Sequence, residues 1–130
     1  STDFVFRRAE LDDVIREAVR KYAKQFIRKK ISLCYEPIGR RVLTDEKWLN
    51  FVLGQLLSNA LKYTQKGSIS IFMRKDCLVL QDTGIGIRTE DLLYLCSRIL
   101  KKLGHGFSIT SQEGNGTCVM IRFEEKEIEG

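Results

Sequence analysis

The segment at residues 77–87, CLVLQDTGIGI, constrains the fold more than any other part of the chain. Its apolar start predicts a buried strand, and this strand ends in an acid, Asp82, and a turn with two glycines. Gly84 and Gly86 can take backbone angles closed to other residues and let a ligand approach the main chain. With an isoleucine after each glycine, the carboxylate has aliphatic neighbours and suits an aromatic base that carries an exocyclic amine. A strand followed by a tight turn that begins with Asp is the alternative interpretation.

A second segment, residues 45–64 (DEKWLNFVLGQLLSNALKYT), has apolar residues at helical spacing. Gln55, Asn59 and Lys62 are separated by four and three positions, so they form one stripe beside the apolar face. Such a helix can bury one side and offer the other to a phosphate and its metal. A solvated polar face is the commoner meaning of the pattern, although an Asn among apolar neighbours is a poor helix former and calls for a reason. The apolar face comprises Leu49, Leu53, Leu56, Leu57 and Ala60.

Three motifs, in this order, resemble those of one protein family. QLLSNALKYT resembles the N box of sensor histidine kinases, DTGIGI resembles their first glycine box, and EGNGTCVMIRF is similar to the closing Gly-Thr strand of the same ATP-binding domain. Together they cover nearly all of the chain and identify it as similar to the GHKL ATP-binding domains, which have the Bergerat fold. The segments QFIRKKISL, LTDEKWL and LYLCSRILKKLGH resemble the subgroup that senses peptide antibiotics, such as bacitracin, at the membrane.

Length and composition are those of one soluble globular domain, residues 1–130, with 43% hydrophobic and 30% charged residues. No run of about 18 apolar residues is present, so we expect no membrane span, and we expect no signal peptide. The net charge of +5 is compatible with anionic partners, but no basic face interleaved with aromatic residues favours nucleic acid. The four cysteines stand far apart and form no CxxC pair, so a reducing cytosol fits better than a zinc site or a disulfide framework.

Periodicity along the chain predicts an α+β fold, a two-layer sandwich in which helices cover one face of a mixed, mostly antiparallel sheet. The acidic end, residues 124–130, is expected to be frayed. Strands are predicted from Phe4 to Phe6 and at residues 31–35, 41–43, 68–74, 77–80, 107–110 and 117–123. Helices are predicted at residues 11–29, 45–64 and 93–103, with Thr44 or Asp45 as the cap of the second and Gly104 at the end of the third.

The resemblance and the chemistry of Asp82 together imply that its carboxylate accepts a hydrogen bond from the 6-amino group of adenine. Guanine carries an oxygen there, and two acceptors facing each other would cost about 1–3 kcal/mol, which predicts ATP over GTP. Gly84 and Gly86 are the positions of close backbone approach, and Ile85 and Ile87 adjoin the base.

The resemblance also implies a phosphate and metal side of the site. Asn59 is expected to offer its amide oxygen to Mg²⁺, a hard ion that takes few protein ligands when phosphates and waters supply the rest. Lys62 would place a positive charge near the phosphates, Tyr63 would flank the nucleotide, and Thr117 could reach the adenine side. An ordinary exposed lysine and a plain strand threonine are the alternatives for Lys62 and Thr117.

Gln55 argues against water activation. Relatives of this fold that hydrolyse ATP (type II topoisomerases, the ninety-kilodalton chaperones, mismatch-repair ATPases) carry Glu four residues before the metal-binding Asn, and Gln cannot act as a general base. The only histidine, His105, follows Gly104 at a helix end and is expected to be a surface or capping residue. No certain catalytic residue is therefore assigned within the chain.

The resemblance then implies the catalytic domain of a two-component sensor histidine kinase, a transferase for phosphorylation-based signalling. It would present the γ-phosphate of ATP to a His on a separate dimerisation domain, for later transfer to an Asp of a response regulator. The full protein would be a homodimeric bacterial inner-membrane sensor, with this domain in the cytoplasm. An anti-sigma-type protein-serine kinase and a degenerate docking module without nucleotide turnover are the alternatives.

One departure from the family pattern concerns the lid over the nucleotide. Such kinases carry about twenty or more residues, including an aromatic segment and a second glycine box, before the third helix. Here Glu90 and Asp91 run almost directly into that helix around residues 92–93. The lid is either deleted or too disordered to be represented in the chain, and we expect disorder, because long lids over empty sites are mobile.

Overall fold

The computed structural model describes residues 3–86, 90–112 and 114–129. Within these ranges the chain forms two sheets and three helices. The strands are β1 Arg7–Glu10, β2 Ser32–Tyr35, β3 Arg41–Thr44, β4 Ser68–Arg74, β5 Cys77–Asp82, β6 Gly106–Gln112, β7 Gly116–Arg122 and β8 Ile128–Glu129. The helices are α1 Leu11–Lys29, α2 Glu46–Tyr63 and α3 Glu90–Leu103, and a 3-10 turn, Glu125–Glu127, precedes β8.

The larger sheet has five strands in the order β2-β4-β5-β7-β6. Of the neighbouring pairs, β2–β4 is parallel and the others are antiparallel. Alternate residues of β4 and β5, such as Ile71, Leu78 and Leu80, are buried against Leu53 and Leu57 of α2. The predicted α+β sandwich, with helices on one face of a mostly antiparallel sheet, is confirmed.

The helix ends follow from local hydrogen bonding. Helix α1 ends at Lys30, whose backbone is left-handed (φ 56°) and whose N–H donates to the carbonyl of Ile27 at 3.1 Å. Helix α2 begins after Asp45, whose side chain accepts the N–H of Trp48 at 3.1 Å. Both helices run along the same face of the larger sheet and fix where its central strand ends.

A second, smaller sheet with the order β1-β3-β8 was not predicted from the sequence. The predicted strand from Phe4 to Phe6 is wrong, since the first strand begins at Arg7. The Phe4 ring packs against the Trp48 ring with centroids 5.8 Å apart, and the N–H of Val5 donates to the Asp45 carboxylate at 2.7 Å. Contacts with Trp48 and Asp45 at the start of α2, and not strand pairing, therefore explain the sequence pattern at residues 4–6.

The acidic end is ordered where it is described, so the predicted fraying is wrong. Ile128 and Glu129 form β8 and pair with Val42 and Arg41 of β3. Arg8 adds a hydrogen bond from its guanidinium to the carbonyl of Glu127 at 2.8 Å. Contacts to distant strands therefore order a segment whose own composition is highly charged. In the described part of the chain, no helix combines the length and the apolar character needed to cross a membrane.

Candidate functional site

Asp82 is the last residue of β5, the central strand of the larger sheet, where it is opposite Ile69 on β4 and Thr117 on β7. Its side chain is 6% exposed. One oxygen, Oδ1, accepts the backbone N–H of Gly84 at 2.8 Å and that of Thr117 at 3.3 Å. Within the described residues no hydrogen bond is formed to Oδ2. The carboxylate is therefore held in one orientation by the main chain and keeps an acceptor for another group.

Two opposing effects act on the protonation of Asp82. Burial raises the pKa of its carboxyl above the ordinary value, and the hydrogen bonds from Gly84 and Thr117 oppose that rise. Burial is the larger effect, so the pKa stays raised. A buried carboxyl with a displaced pKa at the mouth of a glycine turn is typical of a binding site, although structural networks also displace pKa values.

The glycine turn is anchored on the end of α2. The N–H of Ile85 donates to the carbonyl of Tyr63 at 3.1 Å. Gly84 is buried there. A Cβ at this position would lie 2.4 Å from the same carbonyl oxygen and 2.8 Å from the Thr64 hydroxyl, so no side chain fits. The absence of a side chain at Gly84 thus serves the contact between the turn and the helix, and close approach to a ligand at this residue stays a prediction.

The hairpin of β6 and β7 anchors the other side of the turn. The N–H of Gly114 donates to the carbonyl of Ile85 at 2.9 Å, and the Ser111 hydroxyl donates to the carbonyl of Gly86. The hydroxyl oxygen of Ser111 also lies 3.1 Å from the hydroxyl oxygen of Thr117. Sequence reasoning missed Ser111, because a polar residue near a strand end carries no signal of its partner. Ile87, predicted to adjoin the base, lies outside the described residues.

Gly116 brings β7 close to the acid. Its backbone has φ +90°, and a Cβ there would lie 2.1 Å from the carbonyl oxygen of Asp82. The sequence indicated Gly116 only as a loop residue before the Gly-Thr strand. Its position explains why Thr117 can direct its N–H to the carboxylate.

The polar stripe of α2 leads to the same turn. Gln55, Asn59 and Lys62 lie on successive turns of the helix, and Tyr63, next to Lys62, carries the carbonyl that binds the glycine turn. Asn59 and Tyr63 are half-buried, whereas Lys62 is exposed. The Lys62 ammonium lies 5.4 Å from the centroid of the Tyr63 ring. The fold thus brings the end of the stripe to the glycine turn.

Thr64, directly after α2, was not singled out from the sequence. It is fully buried, and its hydroxyl oxygen has no hydrogen-bond partner within the described residues. It lies against Gly84, where no side chain can enter. A buried hydroxyl without a described partner beside Gly84 gives this turn unused hydrogen-bonding capacity.

His105 is not a surface residue, so that part of the prediction is wrong, but its backbone N–H donates to the carbonyl of Leu100 at 2.9 Å and caps the end of α3. It is 4% exposed, its Nε2 lies 2.9 Å from the hydroxyl of Thr44, and its ring contacts Phe123 with centroids 4.6 Å apart. Its Nδ1 lies 3.4 Å from a carboxylate oxygen of Glu127. Burial lowers the pKa of His105, and the Glu127 carboxylate opposes that shift. The ordered tail encloses the histidine, which sequence proximity to Gly104 could not reveal.

No family model matches the chain. Among curated proteins it is 28% identical to the sensor histidine kinase YxdK of Bacillus subtilis (strain 168), over 95% of this chain and 47% of that protein. It is 27% identical to the sensor protein BceS of Halalkalibacterium halodurans, over 95% of this chain and 45% of that protein. The chain is a homologue of sensor histidine kinases. It spans about half the length of these curated relatives.

Solved structures give the same fold to this histidine kinase homologue. The cytoplasmic segment of the histidine kinase QseC matches with a TM-score of 0.78 and 20% identity, over 92% of this chain and 78% of that one. The catalytic domain of the histidine kinase ThkA, in a nucleotide-free form, matches with a TM-score of 0.77 and 19% identity, over 94% of this chain and 97% of that one. The predicted resemblance is thereby confirmed.

Proposed function

We propose that the chain is the ATP-binding catalytic domain of a two-component sensor histidine kinase of the peptide-antibiotic-sensing subgroup. One observation carries the proposal: Asp82 is buried, fixed through Oδ1 by the main chain, and placed in a glycine turn that is bonded to the end of the Asn59–Lys62 helix. An acceptor for an adenine amine and a polar stripe for phosphates thus belong to one rigid unit.

The residues present fit an adenine nucleotide and its magnesium ion. Asp82 offers an oxygen without a described partner, and Ile85, 44% exposed, offers an apolar surface beside it. Asn59 would hold Mg²⁺ through its amide oxygen, the ligand type that the ion prefers, and Lys62 would bind phosphate oxygens. When bound, the ion would neutralise charge on the phosphates during transfer. The chain's own part is to bind and orient the nucleotide.

The nucleophile has to come from elsewhere. The sequence holds one histidine, His105, and it is enclosed by Thr44, Phe123 and Glu127. Gln55 has no group that could take a proton from water. Both observations support transfer to a His on a separate dimerisation domain, with a response regulator as the later acceptor. We further propose that the full protein is a homodimeric inner-membrane sensor with this domain in the cytoplasm.

The lid belongs to the same proposal. The alignment with YxdK extends over 157 positions, more than the 130 residues of this chain, so the relative has positions without a counterpart here. The alignment with BceS, over 151 positions, has the same property. We propose that these positions include the lid and the second glycine box. The position predicted for them, residues 92–93, lies inside α3 (Glu90–Leu103), so the chain is helical where the lid was expected.

Calorimetric titration with ADP and ATP, with and without Mg²⁺ and beside GTP, tests the proposal. Asp82→Asn keeps an oxygen for the N–H groups of Gly84 and Thr117 but places an amide donor where Oδ2 was, facing the adenine amine. A mispaired buried group costs about 1–3 kcal/mol, so we expect about a tenfold or greater loss of ADP affinity. Asp13→Asn, on the exposed face of α1, is the matched control and should bind as the unaltered chain does.

Three results would contradict the proposal. The first is the absence of ADP or ATP binding at millimolar concentration, also after a family lid is inserted directly before α3; that would leave a docking module. The second is equal affinity for GTP and ATP. The third is ADP binding that is unchanged by Asp82→Asn, since the adenine would then be held elsewhere.

A further inference from the structure

The larger sheet has an edge with free backbone groups at β2. Within the described residues this strand pairs with β4 alone. The N–H of Ser32 donates to Gly67 at 3.1 Å, and the N–H of Glu36 donates to Ile71 at 3.1 Å. In a parallel ladder such bonds come from alternate residues, so Leu33 and Tyr35 direct their N–H and C=O groups away from the sheet. The edge therefore offers hydrogen bonds to one further strand.

An apolar groove lies beside this edge, between β2 and α1. Val19, Ala23, Phe26 and Leu33 contribute to its lining, together with Ile27. Ile27 is 77% exposed, the largest exposure among the large apolar side chains of the described residues. Side chains of a strand added at β2 would alternate between the two faces of the sheet, and those on the helix face would enter the groove.

The solvent side of the groove is basic. Arg16, Arg20 and Lys24 follow one another at four-residue spacing on α1, all exposed, and Lys30 lines the groove itself. Like charges at this spacing destabilise a helix by about 0.2–0.5 kcal/mol per pair, so this row of basic residues does not stabilise α1 itself. At the start of this row, a carboxylate oxygen of Asp13 lies 3.6 Å from the guanidinium of Arg16 and offsets part of the repulsion.

These charges distinguish between the possible occupants of the edge. A second copy of the chain, paired through β2 on both sides, would bring two basic helices together. A lipid surface would meet the charges and Ile27 but would leave the N–H groups of Leu33 and Tyr35 unused. An extended peptide with acidic residues satisfies the backbone groups, the groove and the charges at once.

We propose that the free edge of β2 binds an extended peptide segment that carries both apolar and acidic residues on its α1-facing side. Every second side chain of the segment faces α1, and these positions are apolar and acidic in turn. The segment adds a sixth strand to the larger sheet. Its apolar side chains contact Ile27 and Phe26 in the groove, and its acidic side chains pair with Arg20 and Lys24. The site is separate from the Asp82 turn, so binding of the segment and of nucleotide can be measured independently.

Fluorescence anisotropy of the labelled heptapeptide Val-Ser-Glu-Ser-Val-Ser-Glu, added to the full chain, tests the proposal, because its valines and glutamates share one face of an extended strand. The same peptide with lysine in place of glutamate is the control. Leu33→Pro removes an outward N–H that no described residue uses, and a proline is tolerated at a sheet edge. Leu33→Val is its matched control. We expect at least tenfold weaker binding for the lysine peptide and for Leu33→Pro, and little change for Leu33→Val.

Two surface changes support the assignment and leave the core untouched. Arg20→Glu combined with Lys24→Glu should weaken binding at least tenfold, whereas Lys101→Glu combined with Lys102→Glu, on exposed positions of α3, should not. Ile27→Glu should weaken it as well. ADP titration of every variant should match the unaltered chain, which separates failure here from failure of the nucleotide proposal.

Several results would overturn the proposal. Absence of binding of the glutamate peptide at about 1 mM is one, and equal binding of both peptides is another. Unchanged binding by Leu33→Pro would mean that the edge is not used. Sedimentation with phosphatidylglycerol vesicles that depends on Ile27 and Lys24, without peptide binding, would assign this surface to an anionic membrane.

Discussion

At the scale of single residues, Asp82, Gly84 and Gly116 act through contacts of the main chain. Gly84 permits contact with the carbonyl of Tyr63, and Gly116 permits contact with the carbonyl of Asp82. The carboxylate is oriented as a result, because its backbone partners cannot shift without breaking these contacts. Gly84 and Gly116 therefore act through the absence of a side chain.

The cost of a side chain at Gly84 can be measured directly. Gly84→Ala would place a Cβ 2.4 Å from backbone, which cannot move as a flexible side chain would. We expect a loss of about 1–3 kcal/mol in the free energy of unfolding and weaker ADP binding. Urea unfolding followed by Trp48 fluorescence gives the first quantity, and calorimetry gives the second.

Gly54→Ala is the control for this change. Gly54 is inside α2, and a Cβ there would meet Tyr22 at an ordinary 3.8 Å. Alanine is a better helix former than glycine, so stability should rise by about 0.5–1 kcal/mol. Equal effects of the two substitutions would show that the contact with Tyr63 does not matter.

At the scale of elements, the described helices are joined to the strands by a few buried polar groups. Asp12, in the first turn of α1, accepts the N–H groups of Ile38 and Gly39 at 2.8 Å each and the hydroxyl of Tyr35. Burial alone would raise the pKa of Asp12, but these hydrogen bonds outweigh it and hold the pKa below its ordinary value. The carboxylate thereby fixes the connection between β2 and β3 on the helix.

Asp12→Asn should release that connection. The amide leaves one oxygen for three donors and points its own N–H groups at another donor, so we expect a loss of about 1–3 kcal/mol in unfolding free energy. Asp13→Asn, exposed on the next position, should change stability by less than about 0.5 kcal/mol. Similar losses in both variants would mean that the charge in the first turn of α1 matters more than the hydrogen bonds.

Sequence periodicity predicted those elements whose pattern is local. The bounds of α1 and β4 agree residue by residue, because an amphipathic face and an alternating strand are complete within their own segments. Asp82 was singled out for the same reason, since a strand, an acid and a turn adjoin in sequence. The fraying of the tail and the surface exposure of His105 were predicted wrongly, because the order of the tail and the burial of the histidine come from β3 and from each other. No local pattern carries the contact of Ser111 with Gly86.

At the scale of the whole molecule, the smaller sheet closes the end opposite the glycine turn of β5. His105 lies behind it, and Glu127 of the tail is the charged group that faces its ring, while Arg8 donates to the Glu127 carbonyl from β1. Burial keeps the pKa of His105 below its ordinary value of 6.5. The unfolded chain therefore takes up a proton at a higher pH than the folded chain does.

This difference in proton uptake predicts how the free energy of unfolding depends on pH. Stability is full above the unfolded pKa of about 6.5 and is lost as the pH falls below it, by at most about 1.4 kcal/mol per pH unit. Urea unfolding at pH 7 and pH 5.5 should show the loss, and His105→Gln, which cannot be protonated, should flatten it. The same loss in His105→Gln would mean that other groups cause it.

The strands β1 and β8 pair with β3 from opposite sides, and both run antiparallel to it. Their axes are therefore about 10 Å apart and point the same way. Glu129 and Glu10 both lie opposite Arg41, so the end of β8 is level with the end of β1, and Arg7 lies at the other end of that strand. A link from Glu129 to Arg7 would have to run back along the strands and pass over β3. A cyclised or circularly permuted form of the domain therefore needs a crossover linker of about a dozen residues or more, and a short loop would break the smaller sheet.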